Sequence, residues 1–281
     1  MARENADGTI SFDDDNSTPE QIAAFAWEEA MAEATLRRTV AYKLLLACGY
    51  QEPGKGSNVL DRVASLAEEI DILDESGSIL SSAEATLASH GRSDVYFLGL
   101  NPGGAADEQG AFEGFPTIFE GLALSRLGVS GWDQDWSREG ATYRAGQAPM
   151  QRRFKHVAHR LGLAYGEICA TNLVFARSRR LSDLGNLEQQ IEHSLPIHKL
   201  MLDAVQPKRL WVMGNPDTAG SAFRLHSDVK WKSAGYANWS IGRGTVDFCG
   251  RTMQFCHTPH LSFWDATAPD KQELLEFAFG L

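Results

Sequence analysis

From residue 93 onward, short apolar runs alternate with stretches of helical periodicity, and this alternation constrains the fold more than any other feature of the sequence. Strand-like runs lie at 95–98, 168–176, 209–213, 245–248 and 252–256, the last two forming a hairpin around Gly250. Helical patterns lie at 118–127, 150–161, 187–205, 216–225 and 269–279. The alternation predicts an α/β fold of three layers, α/β/α, with a central, mostly parallel sheet of four to five strands. Ligands of such sheets bind at the carboxyl ends of the strands.

The first 90 residues have a different character. Residues 1–18 are polar and acidic without an apolar period, which predicts a disordered acidic lead-in. Residues 19–90 have helical periodicity and predict an N-terminal helical extension, whose second helix would run from a Ser57 cap to Leu73. The turn-rich stretch 74–78 follows it. We therefore expect the main domain to occupy 91–281.

Composition limits the function classes. The formal net charge of -11 argues against a protein that coats nucleic acid indiscriminately, because phosphate neutralisation dominates such binding, but it allows a local basic groove. No apolar run approaches the ~20 residues that span a bilayer, and the start lacks the apolar core of a signal peptide. These features predict a protein of the prokaryotic cytosol or nucleoid without a membrane partner.

The four cysteines are Cys48, Cys169, Cys249 and Cys256, and no two of them form a Cys-x-x-Cys pair. This scatter predicts reduced, structural thiols rather than a zinc site or a disulfide framework. We expect no metal and no cofactor.

The first chemistry-bearing segment is Val95-Tyr-Phe-Leu-Gly-Leu-Asn101-Pro-Gly-Gly104, an apolar strand that enters a rigid turn. Pro102 restricts the backbone, whereas Gly99, Gly103 and Gly104 let a ligand approach closely. The turn would present Asn101 at the carboxyl end of the strand. A tight strand-to-helix turn with no function is the alternative.

The second segment runs from Ile168 to Arg180 and places Asn172 in a strand that precedes a basic cluster. An asparagine amide offers both a donor and an acceptor to a base edge. The cluster of Arg177, Arg179 and Arg180 would hold phosphate. The alternative is an edge strand followed by a solvated basic loop.

The third segment is Phe255-Cys-His257-Thr-Pro-His260-Leu261-Ser262-Phe-Trp264, again a strand that enters a loop. An imidazole would stabilise a leaving anion, an apolar tip would wedge a base stack, and a hydroxyl would grip phosphate. A surface turn with two histidines is the alternative. Three strand ends with complementary chemistry favour the functional interpretation.

Together these segments resemble the uracil-DNA glycosylase superfamily over residues 93–279. Gly99-Leu-Asn-Pro-Gly103 is similar to the Gly-x-Asn-Pro-Gly first motif of its mismatch-specific and single-strand-selective branches. Asn172 in Thr-Asn-Leu-Val is similar to the strand whose asparagine reads the pyrimidine edge in the thermostable branch, and Glu188 with 207–214 resembles the helix-to-strand stretch of that branch. The segment from His257 to Ser262 resembles His-Pro-Ser-Pro-Leu-Ser.

The sequence also departs from that family. Thr258 and Pro259 replace Pro-Ser, the cluster-binding cysteines of the thermostable branch are missing, and residues 1–90 match no family motif. The first departure affects which base the protein would release. The second predicts that this chain has no iron-sulfur cluster.

The resemblance implies hydrolysis of the N-glycosidic bond of a pyrimidine that has been extruded from single- or double-stranded DNA. Asn101 would orient the attacking water, His257 or alternatively His260 would stabilise the departing base, and Leu261 would fill the vacated stack. The substrate-binding set would be Gly99, Leu100, Pro102, Gly103, Phe115 and Asn172, and the DNA-binding set Arg177, Arg179, Arg180, His260, Leu261 and Ser262. Phe112 and Phe119 are alternatives to Phe115 as the residue that stacks on the base.

Uracil is the base that the resemblance implies. A small-residue loop at 105–119 and the changed second motif also allow a bulkier 5-modified cytosine, hydroxymethylated or glucosylated, of the kind some phage genomes carry. Such an enzyme would act in antiviral defence rather than DNA repair. A catalytically silent DNA-binding module with the same fold is a further alternative. The sequence does not identify a protein partner for the N-terminal extension.

Overall fold

A computed structural model describes residues 58–87, 94–103, 117–138, 141–178, 180–215 and 222–281, together with the backbone of two short N-terminal strands. These strands, β1 (Ala2–Glu4) and β2 (Ile10–Phe12), pair antiparallel in a stretch where the sequence predicts no regular structure. The predicted helices within 19–57, and the Ser57 cap, lie outside the described residues.

The centre of the fold is a seven-stranded sheet. Its parallel part consists of β3 (Val95–Gly99), β6 (Cys169–Asn172), β7 (Arg209–Met213) and β11 (Arg251–Thr258), in the order β6-β3-β7-β11. The antiparallel part consists of β10 (Ser240–Phe248), which pairs with β11, and of β8 (Arg224–Leu225) and β9 (Lys230–Ser233), which both pair with β10. A separate hairpin joins β4 (Trp136–Arg138) to β5 (Ala141–Tyr143). The predicted α/β class is confirmed.

Five α-helices are described, and they share two apolar clusters with the sheet. They are α1 (Val59–Glu69), α2 (Ile118–Arg126), α3 (Pro149–Arg160), α4 (Leu187–Val205) and α5 (Gln272–Phe279). Helices α1, α2 and α4 contribute to the cluster that contains Tyr96 and Leu98, whereas α3 and α5 contribute to the one that contains Phe97 and Trp211. Strand β3 is therefore apolar at every position before Gly99, because successive side chains enter different clusters.

Helix α1 belongs to the same folded unit as the sheet. Asn58 caps it by accepting a hydrogen bond from the Asp61 backbone N–H at 2.8 Å, and the buried face of the helix joins the cluster of Leu98. The stretch that follows runs along the outer edge of β6, where the Ser78 N–H donates to the Phe175 carbonyl at 2.9 Å and the Ser81 N–H donates to the Ala170 carbonyl at 2.8 Å. Residues from 58 onward thus cover the sheet edge that would otherwise be unpaired.

Some predicted elements differ from the structure at their ends. The strand expected over 168–176 ends at Asn172, and both strands of the hairpin around Gly250 are longer than expected. The helix expected over 216–225 is wrong at its end, because Arg224–Leu225 is strand β8, held by pairing with β10, and 216–221 lies outside the described residues. The pairing of β8 and β9 with β10 also gives the sheet more strands than the four to five expected. None of the described helices is long and apolar enough to cross a membrane.

Candidate functional site

The polar residues singled out in the sequence lie at the carboxyl ends of the parallel strands. Register places Leu98 of β3 beside Val212 of β7, and Val212 beside His257 of β11. On the other side, Gly99 pairs with Asn172 of β6. Asn101, Asn172, His257 and His260, which we call the strand-end site, therefore share one edge of the sheet.

The order of the strands also creates a topological switch point at this edge. The chain leaves β3 for its neighbour β6, whereas it leaves β7 in the opposite direction and reaches β8, β9 and β10 before it returns to β11 beside β7. Connections that diverge from two adjacent parallel strands leave a crevice between them at their carboxyl ends. The Asn101 turn follows one of these strands, and Gly214 follows the other.

Asn101 is half-buried and its amide orientation is fixed. Nδ2 donates to the Pro102 carbonyl at 2.9 Å, to the Ser178 carbonyl at 3.1 Å and to Ser178 Oγ at 3.0 Å. A carbonyl oxygen can only accept, so these contacts identify the amino group of the amide. No donor to Oδ1 is found among the described residues, which leaves this oxygen as an acceptor at the end of β3.

Asn172 lies against the backbone of β3 at Gly99. A Cβ on Gly99 would overlap Asn172 Oδ1, so only glycine permits the asparagine side chain to occupy this position. The backbone after Asn172 is tied to the same turn, because the Leu173 N–H donates to the Gly99 carbonyl and the Val174 N–H donates to the Leu100 carbonyl, both at 2.9 Å. The two asparagines are thus carried by adjacent strands that are firmly joined.

Arg177 lies beneath the Asn101 turn and not on the surface. It is buried, and its Nη1 donates to the Gly103 carbonyl at 2.5 Å. Burial lowers the pKa of the Arg177 guanidinium, although an arginine keeps its charge at neutral pH. The structure therefore gives Arg177 the position of a fixed positive charge behind the turn rather than that of an exposed phosphate ligand.

His257 is part of the sheet interior, with 1% of its surface exposed. Its Nε2 lies 2.5 Å from the Gly214 carbonyl and must be the donor, since a carbonyl accepts. The Gly214 N–H donates in turn to the Thr258 carbonyl at 3.1 Å. The imidazole therefore joins the ends of β7 and β11.

His260 lies in the turn after β11 and is half-buried. The Ser262 N–H donates to its Nδ1 at 3.2 Å, so the neutral ring carries its proton on Nε2, which has no acceptor among the described residues. Burial lowers the pKa of His260, which keeps the ring neutral at pH 7. It can donate a hydrogen bond without carrying a charge.

The apolar tip of this turn is Phe263 and not Leu261. Leu261 is fully buried in the cluster that contains Trp211, whereas 63% of Phe263 is exposed. Arg153 of α3 fixes this arrangement by donating to the carbonyls of Leu261 at 2.6 Å and Ser262 at 2.9 Å. Ser262 itself is exposed, as the predicted phosphate contact requires.

Thr258 explains one departure from the family motif. Its side chain is buried, and Oγ1 accepts a hydrogen bond from Trp211 Nε1 at 2.9 Å. The threonine thus provides a hydrogen-bond acceptor for the indole N–H of a core tryptophan, and it does not line the strand-end site. The inference of a roomier pocket from this position loses its basis, and the loop before residue 117 lies outside the described residues.

The remaining predicted site residues lie in the Asn101 turn, on the surface, in the core, or outside the described residues. Leu100 is half-buried against the apolar cluster, Pro102 is buried, and Gly103 is exposed. Arg180 is exposed. Phe119 is buried in helix α2, so it does not stack on a base, while Phe112, Phe115 and Arg179 lie outside the described residues.

Sequence reasoning missed Ser178, the contacts of Arg153, which it placed on a helix face that could meet DNA, and Trp231. The first two act through contacts with residues 77 and 108 positions away, for which the sequence has no local signal. Trp231 has one. Gly242 lies inside strand β10, and a glycine within a strand often marks a close approach by another group. Here that group is the Trp231 ring, which a Cβ on Gly242 would meet at 2.5 Å.

The cysteines of the described residues are free thiols. Burial raises the pKa of Cys169, Cys249 and Cys256 to about 12 in each case, so all three are protonated at neutral pH. Within the described ranges, no cluster of three or more His, Cys, Asp or Glu side chains has the geometry to hold a metal ion.

The chain matches no model of a known protein family and no curated protein.

Proposed function

We propose that the protein is a monofunctional DNA glycosylase of a three-layer α/β/α fold, which hydrolyses the N-glycosidic bond of an extruded pyrimidine and leaves an abasic site. The observation that carries the proposal is the fixed Asn101 amide. Its donor side is held by Ser178 and Pro102, and its acceptor Oδ1 points away from these partners at the end of β3. An oriented acceptor beside a ligand crevice is what the positioning of an attacking water requires.

Base recognition is assigned to Asn172. Its amide can pair with the edge of a pyrimidine, which presents both donors and acceptors. The contact with Gly99 supports this role, because a side chain that reads a base must be held rigidly, and any residue other than glycine at position 99 would displace it.

Stabilisation of the departing base is assigned to His260 in preference to His257. Bond cleavage leaves the electron pair of the C1'–N1 bond on the base, and a donor aimed at a base oxygen stabilises that charge. The Nε2–H of His257 is used by Gly214, whereas that of His260 has no described acceptor. The buried charge of Arg177 behind the turn adds to the favourable potential.

Water supplies the new bond to C1' and loses a proton to solvent, so no covalent enzyme intermediate forms. Neither the Asn101 turn, the Asn172 strand nor the His257–Ser262 segment contains a lysine for a Schiff base. The product should therefore be an intact strand with an alkali-sensitive abasic site. A borohydride-trappable adduct would contradict this mechanism.

The test compares matched oligonucleotides that contain uracil opposite guanine, uracil in a single strand, thymine opposite guanine, or 5-modified cytosines, with alkali cleavage as the readout. Asn101→Ala should lower the single-turnover rate by at least ~100-fold with DNA binding nearly unchanged. Equal losses in rate and binding would make Asn101 a structural residue of the turn. Release of none of these bases, with DNA still bound, would favour the catalytically silent binding module.

Two further variants decide between the imidazoles. His260→Ala should reduce the rate without unfolding the protein, whereas His257→Ala should lower stability because it disconnects the ends of β7 and β11. A stable His257→Ala protein without activity, beside an active His260→Ala protein, would reverse the assignment.

A further inference from the structure

Arg153 of α3 and the imidazole of His260 contact the same peptide group in the turn after β11. Arg153 Nη1 donates to two consecutive carbonyls of this turn, that of Leu261 at 2.6 Å and that of Ser262 at 2.9 Å. The Leu261 carbonyl belongs to the same planar peptide group as the Ser262 N–H, which donates to His260 Nδ1 at 3.2 Å. One peptide group therefore lies between the guanidinium and the imidazole.

The guanidinium of Arg153 is also fixed on its other side. Its Nε donates to Asp265 Oδ1 at 3.2 Å, and 17% of the arginine side chain is exposed. The same carboxylate oxygen accepts from the Thr267 N–H at 3.1 Å and from Thr267 Oγ1 at 2.7 Å. The hydrogen bonds from Thr267 and the charge of Arg153 lower the pKa of Asp265, so the carboxylate is ionised at neutral pH. This ion pair holds Nη1 in place against the two carbonyls.

The shared peptide group determines which nitrogen of His260 carries the proton. A neutral imidazole has a single proton that either nitrogen can hold, and the Ser262 N–H requires an acceptor at Nδ1. A hydrogen bond from the guanidinium to the Leu261 carbonyl polarises the peptide group and strengthens its N–H as a donor. The proton is therefore held on Nε2, which has no acceptor among the described residues.

The backbone of His260 is fixed independently of Arg153. Its carbonyl accepts from the Phe263 N–H and the Trp264 N–H, both at 3.0 Å. The side chains of Leu261 and Trp264 are buried, so the turn is anchored in the core at two points. What remains to be fixed is the imidazole itself. The contact at Nδ1 limits its rotation, and this contact depends on the peptide group that Arg153 holds.

We infer that Arg153 is a positioning residue for His260, which acts through the shared peptide group to keep the imidazole proton on Nε2 and to fix the direction of that donor. The inference rests on the proposed function in one respect, the assignment of His260 as the donor to the departing base. A donor stabilises a developing charge best when it is oriented before the reaction begins. The tautomer of His260 can be measured without any activity.

The first test measures this tautomer by NMR at neutral pH. In an isotope-labelled protein, long-range proton–nitrogen correlations of the imidazole distinguish a proton on Nε2 from one on Nδ1, and the His260 signals are those that His260→Ala lacks. The wild type should have the Nε2–H form. Arg153→Met, which keeps the aliphatic chain without any donor, should give a mixture of the two tautomers. Arg153→Lys keeps the charge without the planar fork, so it should lie between them with less risk to the fold.

Arg160→Met is the matched control. It also lacks one arginine of α3 and one ion pair, because Arg160 Nη2 lies 2.7 Å from Glu276 Oε1. Among the described residues, however, Arg160 has no contact with the turn after β11. The His260 signals of this variant should be those of the wild type. Circular dichroism and the thermal midpoint check that each variant is folded.

The second test is a double-mutant cycle on the single-turnover rate of base release. Arg153→Met should lower this rate by ~10-fold or more with DNA affinity nearly unchanged, but by less than His260→Ala, because loss of the donor itself costs ~100–1,000-fold. In the His260→Ala background, Arg153→Met should have little further effect on the rate. Arg153→Lys should recover part of the rate that Arg153→Met loses.

Three outcomes would overturn the inference. They are an unchanged His260 tautomer in a folded Arg153→Met protein, rate losses that add in the double variant, and an equal fall in rate and in DNA affinity. Failure of the glycosylase proposal gives a different result. A wild-type protein that releases no base, beside an Arg153→Met protein with an altered tautomer, would refute the proposed function and keep the positioning role of Arg153. An active enzyme whose His260 tautomer does not depend on Arg153 would do the reverse.

Discussion

Ser178 accepts two hydrogen bonds from the amide of Asn101. One reaches its Oγ at a distance of 3.0 Å, and the other reaches its carbonyl oxygen at 3.1 Å. The hydroxyl is available as an acceptor because it donates its own proton to the Arg180 carbonyl at 2.8 Å. Ser178 therefore connects the basic segment after β6 to the turn after β3. It orients Asn101 and has no described contact with the crevice itself.

This relationship predicts an intermediate effect for Ser178→Ala. The variant lacks one of the hydrogen bonds to Asn101 Nδ2 but keeps the backbone carbonyl, so the single-turnover rate should fall by about tenfold or less, corresponding to a hydrogen bond worth ~1 kcal/mol. DNA affinity should not change. A rate reduction as large as that of Asn101→Ala, or an effect confined to affinity, would contradict a positioning role.

The contact between Gly99 and Asn172 gives a second prediction. Gly99→Ala should lower the free energy of unfolding by ~1–3 kcal/mol, because the added methyl group overlaps the asparagine side chain. In the Gly99→Ala, Asn172→Ala double variant the overlap is gone, so its stability should approach that of Asn172→Ala alone. Denaturant unfolding of the four proteins completes the cycle. Additive losses would show that the two residues do not interact.

Much of this arrangement follows from local sequence signals. The apolar run before Asn101, the proline and the glycines predict a strand that ends in a rigid turn, and parallel pairing then brings Asn101 and Asn172 to one edge. These features depend on residues that are near in sequence or on the general rules of sheets.

Features set by distant packing could not be predicted in this way. The basic residues of α3 are typical of a solvent-facing or DNA-facing surface, yet several of them form ion pairs within the protein. Two of the acidic partners are more than 100 residues away along the chain. Periodicity predicts that a helix is amphipathic, but it does not identify what its polar face will meet. The pairs are Arg153 with Asp265, Lys155 with Asp133 and Arg160 with Glu276.

The buried His198 predicts a pH dependence of stability. Tyr96 Oη–H donates to its Nδ1 at 2.9 Å, and its Nε2–H donates to the Leu173 carbonyl at 3.1 Å, while burial lowers the pKa of the ring to about 4. An unfolded histidine titrates near a pKa of about 6.5, so between that pH and about 4 the unfolded chain binds a proton that the folded protein does not. The free energy of unfolding should therefore fall by about 3 kcal/mol as the pH drops through that window.

Comparison with a His198 variant separates the contribution of His198 to the pH dependence of stability from the contributions of other titrating groups. His198→Gln should have a shallower dependence of stability on pH in the same window, measured by denaturant unfolding. His159→Gln, at an exposed position of α3, should behave as the wild type does. Identical pH profiles for the wild type and His198→Gln would refute the assignment.

The packing of α1 predicts where the chain can be shortened. A protein that begins at Asn58 keeps the cap, the helix and the edge segment, and it should remain folded. One that begins at Gly91 lacks buried side chains such as Leu60, Val63 and Ile79, each worth about 1.5–3 kcal/mol. That total is comparable with the net stability of ~5–15 kcal/mol of a whole protein, so this shorter chain should not unfold cooperatively on heating. A sharp thermal transition for it would show that α1 is dispensable.

The turn after β11 gives the last prediction, because it carries an exposed aromatic residue, Phe263, next to a core residue, Leu261. On the proposed function, the exposed residue is the candidate to fill the vacated base stack. Phe263→Ala should change the free energy of unfolding by no more than about 0.5 kcal/mol, since the side chain is largely exposed. Its base-release rate should fall on duplex DNA, where extrusion costs a few kcal/mol, and stay near wild type on single strands, where no stack has to be opened. Phe263→Leu, which keeps an apolar wedge, should recover much of the duplex rate.

Leu261→Ala should behave in the opposite way. Removing a fully buried leucine should lower the free energy of unfolding by ~2–5 kcal/mol, with equal effects on the two DNA forms once the folded fraction is taken into account. A stable Leu261→Ala protein that is impaired only on duplex DNA would instead return the wedge to Leu261. The turn would then have to open on binding, and the hydrogen bonds from Arg153 to the carbonyls of Leu261 and Ser262 would have to break.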